Sequence, residues 1–126
     1  MSAAGPARQT LPAQRRLRAP GQFARAREEG QRVACGTLIL NWVGARDTAS
    51  GLRLGVVSSK KVGPATVRNR ARRLLREVFR RHQHEIGRPV DLVLVARNSI
   101  ARKSYFEVER DFLKALRQQG LLKATP

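Results

Sequence analysis

Acidic residues are scarce in this chain of 126 residues: Asp+Glu number 9 against Lys+Arg 26, for a formal net charge of +17. A folded state with that excess repels itself unless a polyanion neutralises it, so a nucleic acid is the expected partner. Cysteine is nearly absent too. Cys35 stands alone, which excludes an internal disulfide and a cysteine-based zinc site, and its apolar surroundings suit a small buried thiol, not a nucleophile. Long apolar runs are missing: no stretch is long enough to span a bilayer, and the N-terminus lacks the apolar core of a secretory signal, so a soluble cytoplasmic protein is expected. Histidine occurs only as His82 and His84. Two positions apart on a helix they point in different directions, and they are expected to be exposed near a helix C-terminus. The acids form no paired-carboxylate pattern, so no protein-only active site or metal site is visible.

What is present is mostly arginine, whose planar guanidinium suits multidentate phosphate contacts and stacking on bases. The length fits one domain. Residues 1–20, rich in Ala, Pro, Gln and Arg without apolar period, are expected to be a disordered basic tail, 21–119 the folded domain and 120–126 a frayed tail. Gln22–Glu29 reads as a short helix closed by Gly30, and Val33–Val43 as a strand interrupted near Gly36. Residues 44–51 read as a loop. In Leu52–Val56 apolar residues alternate, sending Arg53 to the opposite face. Gly63-Pro64 marks the start of a helix to about Gln83. Val90–Ala96 is apolar almost throughout, as expected of a strand covered on both faces in the middle of a sheet. Ser104-Tyr105-Phe106-Glu107 fits a capping box opening a last helix, ended by Gly120. The order describes an α/β (α+β) sandwich of helices on a small sheet, and the general rule gives the strand–helix–strand unit from Leu52 to Ala96 a right-handed crossover.

The informative stretch runs from Ser58 to Glu77. At about 100° per residue, Val67, Ala71, Leu74, Leu75 and Val78 make an apolar stripe, while Arg72, Arg73, Arg76 and Arg80 cluster opposite with Asn69 among them. A row of guanidinium groups on a rigid helix matches a row of phosphates, and asparagine adds directional hydrogen bonds to sugar or base edges. Lys60 and Lys61 extend the positive surface toward the strand end. Only Glu77 balances the run, so a solvated, salt-bridged helix face does not account for it.

Lys60-Lys61-Val62-Gly63, Val67-Arg68-Asn69-Arg70, Arg72-Arg73-Leu74-Leu75-Arg76-Glu77 and Phe79-Arg80 closely resemble the signature region of the bacterial ribonuclease P protein component. Phe23 with Gly30 upstream, and Asp91–Arg97 and Ser104-Tyr105-Phe106 downstream, are similar to that family in order and spacing, so the resemblance covers roughly Arg15 to Leu116. It implies a small mixed sheet with helices, like the second domain of a small-subunit ribosomal protein, with a left-handed crossover in place of the usual hand. It further implies that Arg68, Asn69, Arg70, Arg72, Arg73 and Arg76 contact a catalytic RNA. Phe23, Arg53, Lys60 and Lys61 would then lie at a cleft for the single-stranded 5′ leader of precursor tRNA. Catalysis of leader removal is expected from the RNA with Mg2+, with no catalytic side chain and no obligate protein partner. Three positions depart from the family: Arg27 replaces a second cleft aromatic, Asn41 a tyrosine, and Pro64 a small polar residue before the helix. Weaker stacking would follow, offset by charge or by Trp42, and any capping or metal role at position 64 is lost. The alternative is a ribosomal-type structural RNA-binding protein. A helix-turn-helix DNA-binding protein is disfavoured because Leu52–Val57 has strand period where a helix is needed.

Overall fold

A computed structural model describes residues 16–17, 20–45 and 51–123. The chain runs through α1 (Pro20–Glu29), β1 (Gln31–Cys35), β2 (Leu38–Gly44), β3 (Arg53–Val57), α2 (Ala65–His82), β4 (Val90–Ala96) and α3 (Tyr105–Gln118), with short 3₁₀ segments at Lys60–Val62, Gln83–Glu85 and Asn98–Arg102. The four strands form one mixed sheet in the order β1-β2-β4-β3. Of these four strands β3 and β4 pair in parallel, because α2 returns the chain to the starting end of the sheet between them.

The central place of β4 explains its apolar run. Val90, Leu92, Leu94 and Ala96 point into the main core with Ala71, Leu75, Val78 and Phe79 of α2 and Val108, Phe112, Ala115 and Leu116 of α3. Val93 points the other way, into a smaller core beneath α1 with Ala26 and Leu17, flanked by Phe23, Val43, Val57 and Val95. Side chains of period two thus supply both faces of a sheet that is sandwiched between α1 and the α2/α3 pair.

The expected strand at Val33–Val43 is two strands. The chain reverses at Gly36-Thr37, where Gly36 takes φ 53° and a Cβ would stand 2.4 Å from Asp111 Oδ2. That carboxylate accepts from the Thr37 amide at 2.9 Å and hydroxyl at 2.8 Å, tying the hairpin to α3. Gly30 ends α1, yet it is not among the glycines with positive φ. It is needed for space, since a Cβ there would lie 2.1 Å from the Trp42 carbonyl oxygen.

Order reaches further at both ends than the expected boundaries. Within the stretch expected to be a tail, Leu17 donates its amide to the Leu54 carbonyl at 2.8 Å and is buried in the smaller core, so Arg16 and Leu17 lie along the open edge of β3. At the other end Gly120, with φ 68°, turns Leu121 fully into the core. Gly87 donates to the Leu121 carbonyl at 2.9 Å and Lys123 to that of Glu85 at 2.7 Å. An apolar pair directly after the helix stop has the core within reach, so the fold continues to Lys123. Residues 1–15, 18–19, 46–50 and 124–126 lie outside the described residues.

The two long helices start differently. At α2, Pro64 makes no side-chain cap. At α3 the capping box is formed: Ser104 accepts from the Glu107 amide at 3.3 Å and Glu107 from the Ser104 amide at 3.0 Å.

Candidate nucleic-acid interface

With its apolar stripe in the core, α2 turns its cationic side outward. Asn69, Arg72, Arg73, Arg76, Glu77 and Arg80 line an open groove, joined by Arg16 from the chain end beside β3. Arg16 has no periodic context in the sequence and is brought here by the backbone pairing at Leu54. Arg72 hydrogen-bonds Asn69, which orients both groups across the groove. Partial burial, then the neighbouring charges of Arg72 and Arg16, push the Arg76 pKa below the ordinary arginine value. Cations crowded on a rigid face are relieved when an anion settles among them, and phosphate oxygens meet planar guanidinium groups in two-point contacts.

Among the described residues Glu77 is the one carboxylate lining this groove, and it is engaged. Arg80 donates to it at 3.0 and 2.6 Å and Arg81 at 2.8 Å. The hydrogen bonds from Arg80 hold the Glu77 pKa below its usual value, against the opposing effect of burial and with help from Arg81. Glu77 therefore neutralises the C-terminal end of the row and leaves Arg72, Arg73 and Arg76 as its cationic centre, with Asn69 beside them. Arg68 and Arg70 do not line the groove. Arg70 donates to the Lys103 carbonyl at 2.9 Å on the flank toward α3, and Arg68 is half-buried with its Nε enclosed by protein.

The face beneath α1 carries the remaining candidates. The Phe23 ring rests on the sheet at Gly55, where a Cβ would come within 2.4 Å of a ring carbon; only glycine allows that contact. Arg53 points to the same face but binds Asp91 in a two-point ion pair, 2.9 Å from Nε and 3.0 Å from Nη2. Arg25 of α1 reaches Asp91 at 3.7 Å and the Gly44 carbonyl at 2.9 Å. Arg25, Arg53, Asp91, Glu28 and Glu29 line a shallow depression there. Lys60 and Lys61 are exposed on the 3₁₀ segment after β3. The substitution positions behave differently from one another. Arg27 is exposed and Asn41 buried. Trp42 cannot support stacking in this cleft, because strand alternation sends it to the opposite side of the sheet. There it packs against the main core, donates to Gln119 at 2.9 Å and carries Arg88 over its ring at 5.1 Å.

His84 is exposed as expected, but His82 is half-buried. Its Nε2 meets Glu109 of α3 at 2.7 Å and its Nδ1 meets Glu85. Burial alone would lower its pKa, and the hydrogen bonds to Glu109 and Glu85 outweigh that and raise it above 6.5. The protonated form therefore clasps α2 to α3. Its stabilisation is complete below pH 6.5, the unfolded value, and is lost as pH rises through the folded pKa. Urea midpoints measured across that range should fall toward alkaline pH, and His82→Gln should flatten the decline. An unchanged slope in the variant would mean that His82 does not titrate in this way. Cys35 is buried, with Sγ 3.6 Å from Gln118 Oε1. Among the described residues, no group of three or more His, Cys, Asp and Glu side chains could hold a metal ion, and no helix is long and apolar enough to cross a membrane.

A mixed sheet bearing an arginine-lined helical groove places the chain among small basic α+β proteins that bind nucleic acid. A family model for ribonuclease P matches residues 11–120. The ribonuclease P protein component of Syntrophomonas wolfei is 32% identical over 106 residues, 84% of this chain and 87% of that protein. That of Desulfatibacillum aliphaticivorans is 40% identical over 102 residues, 81% of this chain and 80% of its own. The solved ribonuclease P protein from Thermotoga maritima superposes with a TM-score of 0.71 at 28% identity, covering 82% of this chain and 96% of that one. The Staphylococcus aureus protein, 24% identical, shares the fold with a TM-score of 0.76 over 86% of this chain and 98% of its own. The chain belongs to the family of ribonuclease P protein components, the protein subunits of a tRNA-processing nuclease.

Proposed function

We propose that the chain binds the catalytic ribonuclease P RNA through the α2 groove and the single-stranded 5′ leader of precursor tRNA across the face beneath α1. It thereby assists endonucleolytic removal of the leader to give the mature 5′ end. The observation that carries this reading is the groove of Arg16, Asn69, Arg72, Arg73 and Arg76, whose single carboxylate is already held by Arg80 and Arg81. Such a surface neutralises phosphates and lets two polyanions approach each other. On the α1 face an aromatic ring can stack on an unpaired base of any identity, with Lys60 and Lys61 meeting the backbone. Because Arg53 is committed to Asp91, its part in leader binding is to hold the cleft as well as to add charge. Only the precursor has a leader, so this contact favours substrate over product.

Guanidinium and amide groups do not suit a hard cation. Mg2+ therefore belongs, in this proposal, to the RNA subunit, and no protein side chain carries out the cleavage. The working complex is cytoplasmic and needs no further protein. Adding the chain alone to a bacterial ribonuclease P RNA at low Mg2+ should restore precursor cleavage, and affinity should rise with leader length only when the protein is present. Equal binding of precursor and mature tRNA with and without it would overturn the leader assignment. A ribosomal-type structural binder would stabilise the RNA without such discrimination.

A further inference from the structure

The outward face of α3 is used by neither proposed RNA surface. Phe106, Arg110, Lys114 and Arg117 are all exposed and recur at intervals of four, four and three residues, so they form one stripe, with one member per helical turn of about 5.4 Å. Lys103, partly exposed, lies two residues before the helix begins. Phe106 is 75% exposed, the one large apolar side chain so placed among the described residues.

The chemistry of the stripe is set by where the helix sends its acids. Glu107 closes the capping box, Glu109 holds His82 and Tyr105, and Asp111 holds the Thr37 turn. Every carboxylate of α3 is thus engaged by another part of the fold. Asp111 alone also comes near the stripe, 3.8 Å from Arg110 Nε. The outward face is left a row of cations headed by an aromatic. The Phe106 ring is braced edge-on by Tyr105, with centroids 5.8 Å apart and planes at 79°, and Tyr105 is held in turn beneath Arg81 at 5.0 Å. Touched at one edge and otherwise open to solvent, the ring offers a face to a stacking partner.

We infer that α3 presents a third RNA-binding surface, in which an unpaired base stacks on Phe106 while the phosphates of the same single strand follow Lys103, Arg110 and Lys114. An acidic protein could meet the cations, but it gives no reason for a braced ring at the head of the row. Aromatic stacking joined to a cationic track is the combination that single-stranded nucleic acid recognises.

The test uses the full-length chain with Lys60, Lys61, Arg72, Arg73 and Arg76 replaced by Gln, so that neither the α1 face nor the α2 groove masks the signal. A thiouridine-substituted oligouridylate is crosslinked to it by ultraviolet light and the attached peptides are read by mass spectrometry. Binding of a fluorescent oligouridylate is followed by anisotropy. Crosslinks at Phe106 are expected, and Phe106→Ala should weaken binding roughly 5- to 150-fold, the range of one lost base stack. Phe106→Trp should preserve binding, which separates stacking from damage to the fold. Arg110→Gln with Lys114→Gln should reduce the slope of log affinity against log salt by about 1.4, at about 0.7 per single-strand phosphate. Absence of α3 crosslinks together with unchanged affinity in Phe106→Ala would overturn the inference. So would a light-scattering mass that rises with protein concentration only while Phe106 is present, since the face would then join copies of the protein. If the α3 crosslinks appear while the Arg72, Arg73 and Arg76 replacements leave assembly with the catalytic RNA intact, the α2 assignment falls and this surface stands.

Discussion

Simultaneous replacement of Arg72, Arg73 and Arg76 by Gln should weaken binding to the catalytic RNA by roughly 150-fold, taking about 1 kcal/mol net for each contact. The same variant should lower the salt slope by about 2 to 3, because each phosphate no longer neutralised releases roughly 0.9 fewer counterions. These side chains project from the face of α2 opposite its buried residues Ala71, Leu75, Val78 and Phe79, so circular dichroism and the unfolding midpoint should hardly change. Glu77→Gln should act in the opposite direction. It removes the carboxylate that engages Arg80 and Arg81, raising both the affinity and the slope. Filter binding across a salt series measures all of these. A triple variant that assembles like the parent, with the same slope, would remove the groove from the interface.

The dual nature of α2 was legible because one period governs both its faces. The spacing that sends Ala71, Leu75 and Val78 inward sends Arg72, Arg73 and Arg76 outward, with no information needed from elsewhere in the chain. The central place of β4 was legible for a related reason, since only a strand covered on both sides is apolar at consecutive positions. The capping box of α3 is likewise local, confined to Ser104 and Glu107. Arg16 had no such signal. It lies among prolines and polar residues, and a single backbone hydrogen bond to Leu54 carries it to the groove. Arg70 stands about 100° around the helix from Asn69, outside the cluster of Arg72, Arg73, Arg76 and Arg80. The family resemblance alone assigned it to the RNA, and it serves the flank toward α3 through the Lys103 carbonyl.

Side-chain direction in β2 was ambiguous in a different way. Leu38, Leu40 and Trp42 alternate with Ile39, Asn41 and Val43, and both sets are largely apolar, so nothing local says which set faces α1. Pairing with β4 decides it and moves Trp42 away from the cleft. His82 was misread because Glu109, its partner, stands 27 residues away on another helix. Leu121 and Leu122 did carry a signal, two apolar residues directly after a glycine stop, and their packing corrects the expectation of a frayed end.

Asp91→Asn should destabilise the fold by about 1–3 kcal/mol, the cost of losing the charged partner of buried hydrogen bonds. Asp91 is 1% exposed and faces two guanidinium groups, from Arg53 on β3 and Arg25 on α1. It therefore ties together the central strand, the edge strand and the helix that carries Phe23. The amide cannot balance either cation, and both would turn toward water, drawing α1 from the sheet. Chemical denaturation at neutral pH measures the loss. A double-mutant cycle with Arg53→Gln should give a coupling of about 0.5–3 kcal/mol, as for residues sharing one ion-pair network. The variant should also bind leader less tightly in the reconstituted complex, although two more cations now face solvent, because stacking needs the Phe23 ring held against Gly55. Tighter leader binding by Asp91→Asn would show the opposite: that Asp91 restrains Arg53 from the RNA and that clamping α1 contributes little.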